Sequence, residues 1–330
     1  MTRNAYISGT GSFAPDRVVP NSYFNELLGE DVDTWLITNL TIRERRWCSP
    51  DESTADLCEE AAHRALVSAG LKPSDLDLII VSTDTPEYIS PSTASVVQDR
   101  IGAENAGTFD VNTACAGFVP VLGMAAKYIK ADDRYQHILI IGAYAMSKYL
   151  DMTDKKTVTL FADGAGAAVV SATTEPGKGY YSSELHSQGK YNSWMGIYAG
   201  GAHQPTTHEV IDNKDQLLKF VRKFPKELNP QVWTKMAQDL CERAGIQPKD
   251  LNHFFMTQIN INSIWETLDN LGVPRERAHT IMDRFGYTGS AAIGMALDEA
   301  VKMGKVKSGD WCLFIGSGGG LAFAAALFKW

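Results

Sequence analysis

Apolar residues form short, almost uninterrupted runs along the chain, and these runs predict buried β-strands. Four of them stand out, at residues 78–81, 138–141, 166–170 and 320–328. Strands that are apolar on both faces are typical of sheets covered by helices on both sides, whereas half-exposed strands alternate apolar and polar positions. The pattern therefore predicts a layered α/β architecture.

The chain also repeats itself. Residues 69–76, AGLKPSDL, are echoed by residues 244–251, AGIQPKDL, and each copy follows a helical pattern and precedes a strand-like run. The shared Gly and Pro form a helix stop, because Gly ends the last turn and Pro does not continue it. A second echo, Gly-Met-Ala at residues 123–125 and 294–296, again precedes a strand-like run. We therefore predict two copies of one α/β unit.

These copies place a predicted boundary near residue 175, between a first half at residues 1–175 and a second half at residues 176–330. Residues 180–214 are rich in Gly, Ser, His and Asn and are predicted to form a long connection. Residues 217–224 have the spacing of an amphipathic helix. Its basic residues form either a solvated face or a docking strip for an acidic carrier protein, and they are Lys219, Arg222, Lys223 and Lys226.

Composition narrows the range of partners. The 330 residues are 44% hydrophobic and 21% charged, as in ordinary globular proteins. A net charge of −8 argues against nucleic acid as the main partner, because phosphate binding needs a cationic face. No run reaches the ~18 apolar residues of a membrane span, and the first residues lack the apolar core of a signal peptide. We therefore expect a cytoplasmic protein with no membrane partner.

The cysteines and glycines suggest no bound metal or permanent cofactor. Five widely separated cysteines without a C-x-x-C pair predict neither disulfides nor a zinc site. The glycine-rich residues 9–14 resemble a dinucleotide loop, but two prolines follow where the phosphate-binding helix should begin. Four cysteines are predicted to be small buried hydrophobes, namely Cys48, Cys58, Cys241 and Cys312.

The fifth cysteine, Cys115, lies between the end of a strand-like run and an apolar helix predicted at residues 119–129. A helix N-terminus favours thiolate over thiol, and the small neighbours Ala116 and Gly117 leave room for a substrate. These residues alone leave two readings open, a nucleophile for covalent catalysis and a buried structural thiol.

Four motifs resolve this choice by resemblance. In chain order they are DTWLIT with IRER at residues 33–38 and 42–45, NTACAGF at 112–118, FADGAGAA at 161–168 and AIGMALDEA at 292–300. Nearly the whole chain resembles the ketoacyl-ACP synthase III family of the thiolase superfamily. The resemblance implies a five-layer αβαβα fold of two duplicated halves, a homodimer, and acyl transfer from CoA or acyl carrier protein onto Cys115. It also implies an oxyanion hole formed by the N–H groups of Cys115 and Gly319.

Two positions depart from the family pattern. Thr257 stands where the family usually carries a catalytic histidine, and Tyr287 stands where it usually carries an asparagine. In the family these two side chains donate hydrogen bonds to the malonyl thioester as it becomes an enolate, and loss of one such donor typically costs ~10²-fold or more in rate. Ordinary malonyl elongation is therefore not expected. Thr257 and Tyr287 remain the candidate partners of Cys115, since each can donate one O–H.

The resemblance also suggests where the acyl donor binds. Trp35 matches an aromatic residue that stacks on the CoA adenine, and Lys155 matches a cationic residue near the nucleotide phosphates. Asn260 is the last residue of the run that begins at Thr257, and it is assigned to cofactor binding together with Trp35 and Lys155. The family's Arg-Thr pair is replaced by residues 39–40, Asn-Leu, which weakens the case for CoA and leaves acyl-ACP as an alternative donor.

The predicted function is an acyltransferase of specialised metabolism that loads an acyl group onto Cys115 and passes it to a second substrate. The product would be an ester, an amide or an atypical carbon–carbon bond. Two alternatives remain: a catalytically silent partner of an active homologue, and a decarboxylative 3-oxoacyl-ACP synthase with a rearranged site. The acyl chain, the acceptor and the base that replaces the missing histidine are left open.

Overall fold

The computed structural model describes residues 3–330. The strands are β1 Asn4–Phe13, β2 Val18–Pro20, β3 Glu44–Arg46, β4 Leu78–Ser82, β5 Gly107–Val111, β6 His137–Ala145, β7 Asp163–Thr173, β8 Gly179–Ser187, β9 Met195–Gly196, β10 Lys219–Phe220, β11 His253–Met256, β12 Trp311–Gly318 and β13 Ala322–Lys329. The α-helices are α1 Asn21–Leu28, α2 Asp33–Leu40, α3 Thr54–Ala69, α4 Thr93–Ile101, α5 Phe118–Ala131, α6 Lys155–Val158, α7 His208–Asp212, α8 Leu228–Ala244, α9 Ile261–Leu271, α10 Met282–Phe285 and α11 Ala292–Lys302.

Two sheets form the frame. The first has the strand order β1-β7-β6-β4-β5, in which β4 runs parallel to both β5 and β6. The second has the order β11-β12-β13-β8, in which β11 and β12 are parallel. The apolar runs of the sequence lie in β4, β6, β7 and β13, so the predicted strands are confirmed. The predicted boundary at residue 175 falls between β7 of the first sheet and β8 of the second.

Helices cover both faces of each sheet. On the outer side of the first sheet lie α3 and α4, on the outer side of the second lie α8 and α9, and α5 and α11 lie between the sheets. Side chains of β4 alternate between two clusters: Leu78 and Ile80 join the core between the sheets, whereas Ile79 and Val81 join the core under α3. The five-layer αβαβα architecture is therefore confirmed.

The central helix α5 is apolar on nearly all sides because sheets enclose it on both faces. It is 14 residues long. None of the helices within residues 3–330 combines the length and the apolar character needed to cross a membrane.

The sequence repeat corresponds to matching local structure. α3 and α8 both end at a glycine in the left-handed conformation, Gly70 with φ 68° and Gly245 with φ 70°. A 3-10 turn follows each, Pro73–Asp75 and Pro248–Asp250, and in each an Asp carboxylate accepts a backbone N–H bond from three residues earlier at 2.8 Å. These paired turns deliver the chain into β4 and β11, so the predicted duplication is confirmed.

Two predictions about the region between the halves are wrong. The predicted connection at 180–214 contains most of β8, which pairs with β13 at the edge of the second sheet. Because β8 is half exposed and polar, it lacks an apolar run. The predicted helix at 217–224 is instead the short strand β10, paired with β9, followed by irregular chain. Phe224 packs beside Trp194 with ring centroids 5.6 Å apart, so aromatic contacts override the helical spacing.

Candidate active site

Cys115 lies in a tight turn between β5 and α5. The 3-10 turn Ala114–Ala116 precedes α5, which begins at Phe118. The Asn112 side chain accepts a hydrogen bond from the Ala114 N–H at 3.0 Å and holds the turn in place. Ala114 has φ 47°, a left-handed conformation that is uncommon for a residue with a side chain and is concentrated at functional sites.

Glycines let the second sheet and the end of β4 approach this turn closely. A Cβ on Gly318, at the end of β12, would lie 2.7 Å from the Cys115 backbone nitrogen. A Cβ on Gly117 would lie 1.8 Å from the Ser82 hydroxyl at the end of β4. The two halves of the chain therefore meet at Cys115, and no larger residue fits at these two positions without movement of the backbone.

A small cavity of about 90 Å³ opens on Cys115. Its wall is mainly apolar, and it contains none of the seven histidines of the chain and no lysine, aspartate or glutamate. It is formed by Cys115, Met195, Phe220, Phe224, Pro225, Leu228, Asn229, Ile259, Tyr287, Ser317, Gly318, Gly319 and Leu321. Such a wall suits a short apolar acyl group next to the sulfur.

Burial of the Cys115 thiol opposes the thiolate that the sequence predicts. Its pKa is raised to about 12. Burial is the main cause, and the charge of Asp84 adds to it, whereas hydrogen bonding from Tyr287, Tyr144 and the Cys115 N–H opposes it. Cys115 lies in the 3-10 turn Ala114–Ala116, before the first residue of α5, Phe118.

Tyr287 forms part of the pocket wall beside Cys115. It follows α10 in the second half, yet its backbone pairs with the first half: its N–H donates to Leu160 at 2.9 Å, and its carbonyl accepts from Ala162 at 2.9 Å. The Phe161 ring packs against it with centroids 5.4 Å apart. The structure therefore brings Tyr287 and Cys115 to the same pocket wall, where hydrogen bonding from Tyr287 lowers the pKa of Cys115. Its catalytic role stays a prediction.

Thr257 does not reach the pocket wall. Its hydroxyl donates to the Ser317 carbonyl at 3.3 Å and accepts from the Ser317 N–H at 3.0 Å, so it ties the end of β11 to β12. The next residue, Gln258, is engaged in the same way, since its amide donates to the His279 carbonyl and accepts from the Ile281 N–H. Hydroxyl and amide are thus committed to the backbone rather than free for a substrate.

The predicted donor-binding residues lie outside this pocket wall. Trp35 projects from α2 and is 55% exposed. Lys155 begins α6 and pairs with the carboxylate of Glu30 at 3.0 Å, so part of its charge is already neutralised. Asn260 caps α9, where its side chain accepts from the Asn262 N–H at 3.0 Å. Their roles in donor binding stay predictions.

Gly319 lies on the pocket wall next to Cys115, as the predicted oxyanion hole requires. It follows β12, which ends at Gly318, and precedes β13, which begins at Ala322. The donation of its N–H to a bound oxyanion stays a prediction.

Three polar residues at the site escaped the sequence analysis. Hydrogen bonding from Tyr144 lowers the pKa of Cys115, whereas the charge of Asp84 raises it. Asn229 is on the pocket wall. A signal for the first two existed: Tyr144 ends β6 and Asp84 follows β4, and parallel strands bring their carboxyl ends to one edge. Asn229 had no such signal, because it begins a helix that packs over the pocket from the other half.

Comparisons with known proteins agree with this architecture. A family model for 3-oxoacyl-[acyl-carrier-protein (ACP)] synthase III matches residues 109–189, and the model for its C-terminal part matches residues 241–330. A beta-ketoacyl-[acyl-carrier-protein] synthase III of Caldanaerobacter subterraneus is 35% identical over 326 residues, which cover 99% of this chain and 98% of the relative.

Solved structures show the same relationship. The 3-oxoacyl-[acyl-carrier-protein] synthase III of Aquifex aeolicus superposes with a TM-score of 0.88 at 31% identity, covering 99% of this chain and 100% of its own. The priming β-ketosynthase of the R1128 polyketide biosynthetic pathway superposes with a TM-score of 0.87 at 29% identity, covering 98% and 96%. The protein described here therefore belongs to the 3-oxoacyl-[acyl-carrier-protein] synthase III family of acyl-transferring enzymes in the thiolase superfamily.

Proposed function

We propose that this protein takes an acyl group from a CoA or acyl-carrier-protein thioester onto the sulfur of Cys115 and transfers it to a second substrate. The observation that carries the proposal is the position of Cys115 on a small apolar pocket, next to the hydroxyl of Tyr287. A sulfur nucleophile beside a space for a short acyl chain is what an acyl-cysteine intermediate requires.

Decarboxylative condensation has weak support at this site. It needs two donors aimed at the thioester oxygen of a malonyl group. The Thr257 hydroxyl is hydrogen-bonded to the backbone of Ser317, and hydrogen bonding from Tyr287 is directed at Cys115. We therefore propose a transfer that forms an ester, an amide or an atypical carbon–carbon bond with an acceptor that needs no help in forming a carbanion. We place this transfer in specialised metabolism because Thr257 and Tyr287 replace the two donors on which ordinary malonyl elongation depends.

Mass spectrometry of the intact protein after exposure to acyl-CoA and acyl-ACP donors tests this function. The wild type is expected to gain the mass of one acyl group, and Cys115→Ala is expected to gain none. Failure of every donor to label the wild type, or equal labelling of Cys115→Ala, overturns the proposal and favours a catalytically silent subunit. Release of CO₂ from malonyl-ACP at a rate typical of condensing enzymes would favour a 3-oxoacyl-ACP synthase with a rearranged site.

We further propose that the protein forms a homodimer. Tyr88 and Ile89, in the loop after β4, are 52% and 87% exposed, so they do not pack in the core of their own chain. Large exposed apolar side chains in one loop are typical of an interface. Light scattering is expected to give twice the mass of the chain for the wild type and the mass of one chain for Ile89→Asp. A wild-type monomer would contradict the proposal.

A further inference from the structure

Besides Cys115, the pocket wall carries three side chains with an oxygen or nitrogen atom, and they are Asn229, Tyr287 and Ser317. Hydrogen bonding from Tyr287 is directed at Cys115. The bonds between Ser317 and Thr257 use the Ser317 backbone, and neither the Ser317 hydroxyl nor the Asn229 amide has a hydrogen-bond partner within residues 3–330. Two side chains of the pocket wall therefore have their hydrogen-bonding capacity unused.

Ser317 is held rigidly beside the nucleophile. It is 6% exposed and immediately precedes Gly318, which packs closely against the Cys115 backbone. On one side its backbone pairs with Phe323 of β13, and on the other the Thr257 hydroxyl bonds to both its N–H and its C=O. A hydroxyl that is buried in this way without a partner is costly, so it is expected to meet a polar group that enters the pocket.

Asn229 approaches the pocket from the other direction. It is the second residue of α8, and the first turn of this helix forms part of the pocket wall. At helical spacing along the same face follow Trp233, Met236 and Leu240, which are all buried in the core. A half-buried amide at the end of an apolar stripe lacks a partner in its own chain, so it too is available to a bound molecule.

The charge of the pocket wall limits which polar group can bind. Its described residues include no lysine, arginine, histidine, aspartate or glutamate. A bound carboxylate would therefore meet no cation and a bound ammonium group no anion, and a buried charge without a partner is costly. A hydroxyl group is uncharged, and it both donates and accepts a hydrogen bond. The Ser317 hydroxyl and the Asn229 amide can each donate and accept in return, so the two match an alcohol.

We propose that Ser317 and Asn229 bind the hydroxyl group of the second substrate, an uncharged alcohol, and position it for attack on acyl-Cys115. The inference rests on the acyl-transfer function proposed above and narrows its product to an ester. The alcohol oxygen forms a bond to the acyl carbon, the bond from that carbon to the Cys115 sulfur breaks, and the hydroxyl proton passes to the sulfur. The products are an ester and the free Cys115 thiol, so atoms and charge balance. Burial raises the pKa of this thiol, so the sulfur keeps the proton.

The test measures acyl loading and acyl transfer separately. An acyl-CoA or acyl-ACP that labels the wild type first acylates the protein, and intact mass gives the rate of this step. After the donor is removed by gel filtration, n-propanol is added as the probe alcohol, or propylamine in a parallel arm, and the propyl ester, propyl amide and free acid are quantified.

Three variants are compared with the wild type. Ser317→Ala removes the hydroxyl, and Asn229→Leu replaces the amide by an apolar side chain of similar size. Gln231→Leu is the matched control, because Gln231 belongs to the same end of α8 but is exposed and lies outside this pocket wall.

The acylated wild type is expected to form propyl ester at a rate that levels off as the propanol concentration rises, as for a binding site. Below saturation, Ser317→Ala and Asn229→Leu should each form the ester about three- to tenfold more slowly, because each loses one hydrogen bond to the alcohol. The preceding acylation of Cys115 should keep the wild-type rate in both. Gln231→Leu should match the wild type in both steps.

Four results overturn the proposal but leave the acyl-transfer function standing. If the wild type releases only free acid at every propanol concentration, the pocket takes no alcohol. If Ser317→Ala and Asn229→Leu form the ester at the wild-type rate, these side chains do not bind it. If acylation and ester formation fall together, they support the pocket or bind the donor. If they slow transfer to propylamine but not to propanol, the acceptor is an amine.

A fifth result reaches further. If no donor acylates the wild type, the acyl-transfer function itself fails, and the role of Ser317 and Asn229 fails with it.

Discussion

Tyr287→Phe removes the hydroxyl beside the Cys115 sulfur and little else. The ring remains packed against Phe161, whose centroid lies 5.4 Å away, so the pocket keeps its shape. The hydrogen bond from Tyr287 lowers the pKa of Cys115, so its loss raises that pKa. A hydrogen bond to a charged group contributes about 1.5–3 kcal/mol, which corresponds to roughly one to two pKa units. Because the pKa already lies far above neutrality, the thiolate population should fall by ~10–100-fold at every pH below it.

The rate of Cys115 alkylation by iodoacetamide, measured from pH 7 to pH 10, follows this population directly. Tyr180→Phe is the matched control, because Tyr180 is also buried and its hydroxyl pairs with Ser183 at 2.9 Å, away from the pocket wall. The control should react like the wild type. If Tyr287→Phe also reacts at the wild-type rate, or faster, the hydroxyl does not stabilise the thiolate and the reasoning is refuted.

Three further predictions concern stability and donor binding. Thr257→Val removes the side-chain partner of the Ser317 N–H and C=O. The free energy of unfolding in urea should fall by about 1–3 kcal/mol, while acyl labelling of Cys115 is retained. Unchanged stability would contradict this prediction. Glu30→Gln removes the ion-pair partner of Lys155, so the lysine charge becomes available to the phosphates of CoA. The KM for acyl-CoA should fall about two- to fivefold, whereas the KM for acyl-pantetheine should not change. Equal changes for both donors would count against a phosphate contact. The native state holds the Asp84 carboxyl at a pKa of about 6, above the 3.8 of a free side chain, so ionisation destabilises the fold as pH rises through this window. Above pH 6, Asp84→Asn should therefore have a free energy of unfolding in urea that is higher than that of the wild type by about 3 kcal/mol, and this difference should vanish below pH 4. A variant that is less stable than the wild type at pH 8 would show that ionisation of Asp84 does not destabilise the fold.

Much of the fold was predictable because its sequence signals lie in short segments and occur in both halves of the chain. Apolar runs marked β4, β6, β7 and β13, and the paired Gly-x-x-Pro stops marked the duplication. The polar edge strand β8 carried no such run. At 217–224, helical spacing gave way to contacts with Trp194, a residue distant in sequence. Patterns of nearby residues thus predict layers, whereas edges and connections depend on tertiary packing.

The site was predictable in part. The position of Cys115 between a strand and a helix marked it as a candidate, and the resemblance placed Tyr287 opposite. The pKa of Cys115 depends mainly on its burial in the folded chain, which no local sequence pattern reports. Thr257 was expected to face the sulfur, but its hydroxyl is held by the adjacent strand. Asn229 had no sequence signal, because it belongs to a helix of the other half that packs over the pocket.

The central claim is that the Cys115 sulfur carries the acyl group, and peptide mapping after acyl-donor treatment tests it directly. Trypsin releases Cys115 in residues 101–127, which contain no other cysteine. The account predicts that this peptide alone gains the acyl mass and that the mass is lost on treatment with hydroxylamine, as expected of a thioester. Acyl mass on a peptide that carries another cysteine, or on none, would contradict it.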